Sequence, residues 1–344
     1  MRFRVLLVGL GNRGGQWAEI ISAHPKAALA CAVDPDPAAR ARFGTRFPGV
    51  PVLADMAIAL RDIDCDAVLL ATPPDGHLAQ TDAVFARGLP VLCEKPLDVD
   101  LAAAKRIVDN AAGAGVPLSI GLNFRYLPVS RKLRELLADA ALGAPGFGQF
   151  SYQRNRDGRQ PRLNKYPLTM RHPMMLEQSI HHLDLIRFCY GREVTHVQCR
   201  TWNPSWSMYA HHANVSCLLT LEGGLEVNYL GTWTGGWDEL KFEWRTDCSG
   251  GVIVQRQLFS DLAIAATRDA TLRPIEIDEA RPFFDDSTGL LSAFIDAVLA
   301  KAPPPCDGPD HLRTIALCFA AIESGETDTR VDMRDFARRH GLPA

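Results

Sequence analysis

The sequence predicts an α/β protein of two domains, a doubly wound parallel sheet followed by a half richer in strands. Three observations carry that expectation. A chain of 344 residues exceeds what a single hydrophobic core ordinarily organises. Strand and helix patterns alternate from the N-terminus to residue 121. Beyond residue 122 the periodicity changes, which sets the expected domains at 1–122 and 123–344.

The first unit is the most informative. Arg4-Val5-Leu6-Leu7-Val8 is an apolar run of the kind buried in parallel sheets, and it ends in Gly9-Leu10-Gly11-Asn12-Arg13-Gly14 before a helical stretch over 15–23. Between a strand and a helix this glycine spacing is specific. Gly9 makes the tight turn, Gly11 admits a pyrophosphate to the backbone, and Gly14 lets helix and strand pack closely. Phosphates then meet the helix N-terminus. A second strand over 29–33 ends in Asp34, where a carboxylate would accept hydrogen bonds from an adenosine ribose. That carboxylate repels a 2′-phosphate and favours NAD, while Arg13 and Arg40 blunt the preference and keep NADP possible.

The series continues through a strand over 66–71, a helix over 78–87, a strand over 89–92, a helix over 101–112 with Ala103, Ile107, Val108 and Ala111 on one face, and a sixth strand over 117–121. The strand over 89–92 leads into Cys93-Glu94-Lys95-Pro96-Leu97, so Lys95 lies at a carboxyl strand end, where open α/β sheets hold ligands. Pro96 restricts Lys95 to extended backbone and so aims its ammonium.

Downstream, 129–137 reads as a helix carrying Leu133, Leu136 and Leu137, and 147–153 as a strand. Residues 154–173 are basic and proline-bearing (Arg154, Arg156, Arg159, Arg162, Lys165, Arg171) and read as a long loop, either an arm over the substrate or a solvated surface. The stretch 175–187 has helical spacing, with Glu177, His181 and Asp184 in one stripe at i, i+4 and i+7. Such a stripe is either plain salt bridging or a histidine tuned by two carboxylates. His182 faces elsewhere and reads as structural. Strands follow over 194–202, 213–221, 225–232, 240–245 and 251–259, then two helices over 290–299 and 310–322. Trp233, Trp237 and Trp244 suit either a sugar-stacking surface or core packing.

Composition narrows the classes. Apolar residues make 47%, charged residues 22%, and the net charge is -3, which offers no basic field for nucleic acid or anionic lipid. No apolar run approaches a bilayer span, and a strand from Phe3 leaves no room for a signal peptide. Nine scattered cysteines read as reduced thiols of a cytoplasmic protein. Glu177 and His181 have legal zinc spacing, but no local third ligand accompanies them, so no metal is expected.

Gly-x-Gly-x-x-Gly at 9–14, Ala71-Thr72-Pro73-Pro74 with His77, Glu94-Lys95-Pro96, and Asn123-Phe124-Arg125-Tyr126 together resemble the glucose–fructose oxidoreductase / inositol dehydrogenase (Gfo/Idh/MocA) family. The resemblance implies a Rossmann domain, a second α/β domain on a large, mostly antiparallel open sheet, and C-terminal helices returning to the first domain. It implies a Lys95–Pro96 peptide that is often cis. It implies cofactor contacts from Gly9, Gly11, Asn12, Arg13, Gly14, Asp34, Thr72, Pro73, His77, Glu94 and Lys95, and substrate contacts from Lys95, Asn123, Arg125, Tyr126, Glu177, His181 and Asp184. His181 matches the family's proton-transfer histidine, while Glu177 replaces its usual aspartate. The expected reaction is hydride transfer between a sugar, inositol or related polyol and NAD, with Lys95, His181 and Glu177 as the catalytic set. The alternatives are NAD-assisted glycoside cleavage or elimination without net redox, and a non-catalytic nucleotide sensor. The open sheet is expected to bury a face in a homodimer or homotetramer.

Overall fold

In the computed structural model the described residues are 2–343 apart from Arg162, so that one basic residue of the 154–173 loop lies outside them. The chain forms two compact units, residues 1–123 with 281–313, and residues 124–280 with 314–344.

The first unit runs β1 (Phe3–Val8), α1 (Asn12–Ala23), β2 (Ala27–Val33), α2 (Pro37–Arg46), β3 (Val52–Leu53), α3 (Met56–Asp62), β4 (Ala67–Leu70), α4 (His77–Phe85), β5 (Val91–Cys93), α5 (Leu101–Ala114) and β6 (Leu118–Ile120). Its six strands are parallel in the order β3-β2-β1-β4-β5-β6. The strand order reverses between β1 and β4, which puts the turns after both strands at one crevice. There a Cβ added to Gly9 would stand 2.7 Å from the Ala71 carbonyl oxygen, so only glycine lets the turns touch.

Several details differ from the sequence reading, which had no place for helices α2 and α3. Helix α1 begins at Asn12 rather than residue 15, because Gly11 itself caps it. The apolar face of α5 uses Leu101 and Ala104 with Ile107, Val108 and Ala111; the Ala103 amide is instead held by the Asp100 carboxylate at 2.8 Å. The same helix runs on through Gly113 and ends at Gly115, whose φ of 66° suits a helix C-terminus. Strand β3 has two residues, too short to leave a period in the sequence.

The second unit contains α6 (Pro128–Ala138), β7 (Pro145–Gln153), a π-helical turn (Met174–Ser179) running into α7 (Ile180–Tyr190), and β8 (Val194–Trp202), β9 (Asn214–Leu221), β10 (Glu226–Thr232), β11 (Lys241–Cys248), β12 (Gly251–Gln257), β13 (Ser260–Ala266) and β14 (Arg273–Ile275). After α8 (Asp285–Ala300), which belongs to the first unit, come α9 (Gly308–Thr327), which joins the second unit from Thr314 on, β15 (Val331–Asp332) and α10 (Met333–Arg339). The sheet order is β14-β13-β12-β11-β7-β10-β9-β8-β15. Among the described residues of this sheet only β7 and β10 pair in parallel. Strands β13 to β15 and helix α10 escaped the sequence reading. The Ala-rich Ser260–Ala266 has weak β-propensity, and the other three are seven residues or fewer.

Period-2 alternation sorts this sheet into two faces. Phe150, Tyr152, Val215, Cys217, Leu219, Val227 and Tyr229 are buried, whereas Phe147 and Leu218 remain 55% and 43% exposed. Trp233 and Trp244 are core residues, and Trp237 is exposed. The basic loop is pinned rather than free. Arg156 is buried over the Trp233 ring at 4.4 Å, and its carbonyl accepts the Tyr209 hydroxyl at 2.7 Å. Among the described residues no helix is long and apolar enough to cross a membrane.

Candidate active site

In the first unit the glycine turn is shaped for a dinucleotide. Gly9 has φ 91°, a Cβ on Gly14 would lie 1.9 Å from the Gly9 carbonyl oxygen, and Gly11 faces open space. No side chain caps α1 and its first turn holds no acid, so its amide groups and the positive end of the helix dipole are left for an anion. Asp34 stands beside this turn, with Oδ2 accepting from the Leu10 amide at 2.7 Å and Oδ1 from the Asp36 amide at 2.8 Å. Each carboxylate oxygen keeps a lone pair for a ribose hydroxyl. These features fit NAD. Arg40 stays next to Asp34, its Nη1 donating to the Asp34 and Pro35 carbonyls at 2.8 Å each.

Arg13 is committed elsewhere. Its Nε donates to Glu94 Oε1 at 2.6 Å, Nη2 to Ser287 Oγ at 2.9 Å, and its guanidinium covers the Trp17 ring. Trp17 Nε1 reaches the same Glu94 oxygen at 2.7 Å. Burial pushes the Glu94 carboxyl up, but Arg13 and then Lys95 outweigh it and hold the group below the usual carboxylate range. An ionised, caged glutamate therefore precedes Lys95, whose backbone amide donates to Glu94 Oε2 at 3.3 Å, and the Lys95–Pro96 bond is cis.

His77 is fully buried, with Nδ1 3.0 Å from the Leu97 carbonyl and Nε2 3.1 Å from that of Thr72. It braces the turn after β4 against the turn after β5 from behind. Thr72 Oγ1 donates to Gln80 Oε1 at 2.6 Å, and Pro73 is exposed. Asn123 is buried with its carboxamide given to Asp286.

In the second unit the helical stretch expected over 175–187 is not one α-helix. Met174–Ser179 forms a π turn, so Glu177 sits on a wider turn than α geometry supplies, and only His181 and Asp184 keep α spacing. His181 is buried against Phe124, the rings stacked at 4.4 Å between centroids. Glu177 is half-buried. Asp184 binds Arg125 in a fork, Nε to Oδ2 at 2.7 Å and Nη2 to Oδ1 at 2.5 Å, and accepts the Thr314 hydroxyl at 2.9 Å. Arg187 continues the cluster to Glu193 and Thr314. Tyr126 packs under the Arg131 guanidinium at 4.8 Å.

His182, the residue after His181, is wholly buried and hydrogen-bonded through both ring nitrogens. Gln178 Nε2 donates to its Nε2 at 3.0 Å, its Nδ1–H donates to Tyr229 Oη at 2.9 Å, and that hydroxyl donates to Ser179 Oγ at 2.7 Å. The chain of donors requires a neutral ring, and burial lowers its titration to about 3 from the ordinary 6.5. Because the folded value is depressed, the stabilisation is whole above the unfolded value and is lost as pH falls from about 6.5 toward about 3. The loss amounts to about 1.4 kcal/mol per pH unit over that window. Acid melts of the wild type against His182→Gln should show the variant's stability falling less steeply there.

Sequence reasoning missed Trp17, Ser287, Asp286 and Thr314, which lie far along the chain from the groups they hold. Phe124 was inside a recognised motif, but its stacking role had no sequence signal. Among the described residues no cluster of three or more His, Cys, Asp or Glu could hold a metal ion.

Residues 3–122 match the model of the oxidoreductase family with an NAD-binding Rossmann fold, and residues 130–254 match the GFO/IDH/MocA C-terminal domain. The chain belongs to the Gfo/Idh/MocA family. An inositol 2-dehydrogenase from Rhodococcus jostii is 26% identical over 360 residues, covering 99% of this chain and 94% of that one. Two solved structures share the fold. An oxidoreductase from Agrobacterium radiobacter, in complex with NAD+, L-tartaric acid and magnesium, has a TM-score of 0.87 at 23% identity over 97% of this chain and 99% of its own. The aldose-aldose oxidoreductase from Caulobacter crescentus complexed with glycerol has 0.83 at 19% identity, over 96% and 100%. As a Gfo/Idh/MocA protein, the chain is an NAD-binding oxidoreductase built on a parallel Rossmann sheet and a second, mostly antiparallel sheet.

Proposed function

We propose that this Gfo/Idh/MocA protein is a dehydrogenase of a sugar, inositol or related polyol that uses NAD, with His181 as the proton-transfer residue and Lys95 as its partner. The observation that carries the reading is the position of Lys95. It follows β5 in the same unit as the glycine turn, directly after a glutamate caged by Arg13 and Trp17. The relatives named for polyol or sugar oxidation support the substrate class.

When bound, NAD supplies the hydride acceptor for a carbinol carbon. The hydroxyl proton of that carbon passes to the His181 imidazole, which Phe124 keeps in plane. The Lys95 ammonium hydrogen-bonds the same oxygen and stabilises its alkoxide character. Glu177 orients the substrate or the histidine, and Arg125, fixed by Asp184, presents a preorganised guanidinium to substrate hydroxyls. Asn123 and Tyr126 complete the set. Cofactor contacts come from Gly9, Gly11, Asn12, Arg13, Gly14, Asp34, Thr72, Pro73 and Glu94, with His77 as brace; NADP use remains compatible with Arg40 beside Asp34. The partly apolar outer face of the second sheet, with Phe147 and Leu218, suits a homodimer or homotetramer, and the nine free thiols suit a reducing cytoplasm.

The test is a panel of sugars, inositols and sugar acids with NAD and NADP, followed by the absorbance of the reduced nicotinamide and by thermal shift. Reduced nicotinamide appearing with one polyol class supports the reading. Product without a net absorbance change would replace it with NAD-assisted cleavage, and nucleotide binding without any turnover would replace it with a sensor.

A further inference from the structure

The loop after β7 carries a buried cation that no carboxylate of the described residues meets. Arg156 is 9% exposed, its backbone amide donates to the Trp233 carbonyl at 2.9 Å, and its guanidinium lies 4.4 Å over the Trp233 ring. Among its side-chain donors only Nη1 has an acceptor within the described residues, the Tyr209 hydroxyl at 3.2 Å. Trp233 is buried too, and among the described residues its Nε1–H is a second donor with no acceptor. The acids of these two segments are placed elsewhere. Asp157 Oδ1 accepts the Arg159 amide at 3.0 Å, Asp238 Oδ1 accepts the Asn155 carboxamide at 2.9 Å, and Glu239 is exposed.

We propose that Arg156 and Trp233 form a binding site for a small oxyanion, and that this anion is the carboxylate of a sugar acid on which the protein acts.

The ligand class follows from the donors. A cation taken out of water needs a counter-charge, which a neutral partner does not supply. With Nη1 given to Tyr209, the Nε and Nη2 edge of the guanidinium remains, and that edge is the fork that takes two oxygens of one carboxylate. The indole N–H only donates, so it too selects an acceptor. Both groups are held in place by the backbone. Arg154 donates to Thr232 at 3.1 Å, Arg156 to Trp233, and Gly235 back to Arg154 at 3.1 Å. Beside them Trp206 ties its Nε1 to the Thr234 carbonyl at 3.1 Å yet stays 71% exposed, which leaves an indole face for the apolar side of a sugar ring. The same loop leads into the π turn that bears Glu177.

The anion site stands apart from the dehydrogenase reading, whereas its assignment to a substrate rests on that reading. Thermal shift of the whole protein with NAD+ reads binding without turnover. The probes are acetate and sulfate as bare anions, and D-glucuronate, D-galacturonate and D-gluconate, each uronate against its neutral sugar. A sugar acid whose neutral counterpart has no effect should raise the melting temperature by a few degrees near saturation. Arg156→Met should weaken its apparent Kd by about ten- to a hundredfold. Trp233→Phe keeps a ring under the guanidinium and removes the N–H, and should weaken it by about three- to tenfold, which covers a failure of the first variant to fold. General salt effects act on all three proteins alike and cancel in the comparison. A response to acetate or sulfate that needs Arg156, with none to any sugar acid, supports the oxyanion site and overturns its assignment to a substrate. Equal responses in the wild type and both variants, or no response to any anion, overturn the site itself. Sugar-acid binding that needs Arg156 but yields no reduced nicotinamide overturns the dehydrogenase reading and leaves the site standing.

Discussion

Replacing Lys95 with methionine is expected to lower kcat by about a hundred- to ten-thousandfold on the true substrate, and His181→Ala by a similar factor. On the proposed mechanism both groups serve one oxygen, so the two losses should not multiply in the double variant. Nucleotide binding is the control. The described contacts that cage Glu94 come from Arg13 and Trp17, so Lys95→Met should still bind NAD+ within about tenfold, a cost of about 1.4 kcal/mol at most. Steady-state kinetics with the oxidised polyol, paired with calorimetric NAD+ titration, separates the outcomes. Near-full turnover in either single variant would remove that residue from the mechanism.

The second large effect is on stability. Asp184→Ala takes from the largely buried Arg125 guanidinium the carboxylate that it forks, while Arg187 keeps Glu193. Breaking a buried pair by removing one partner costs about 3–5 kcal/mol, because the remaining charge is desolvated and unpaired. The melting temperature of the second unit should drop by several degrees. Thr314→Val, which removes one hydroxyl donor from the same carboxylate, should cost about 1 kcal/mol. If Asp184→Ala melted like the wild type but lost activity, Asp184 would be a substrate ligand and not the anchor of Arg125.

These two sites show how unevenly the sequence speaks. Gly9, Gly11 and Gly14 are legible because one strand, one turn and one helix impose their spacing within a few residues. Lys95 is legible for the same local reason, a strand end closed by proline. The fork between Arg125 and Asp184 spans 59 residues, and the bond between Asn123 and Asp286 spans 163; no periodicity marks either. The π turn was also invisible, since Met174–Ser179 has ordinary helix-forming residues and the wider turn follows from what surrounds it. Helical phase alone set His182 apart from His181, but its neutral state came from Gln178, Tyr229 and burial.

Local rules therefore settled the parallel sheet, the dinucleotide turn and the residue types available for acid–base chemistry, because strand, turn and helix preferences act over short chain distances. Packing settled which charged groups are already taken: Arg13 by Glu94, Arg125 by Asp184, Asn123 by Asp286. That assignment depends on which distant segments share one desolvated space, where a charge must find its partner, and no stretch of residues carries it alone.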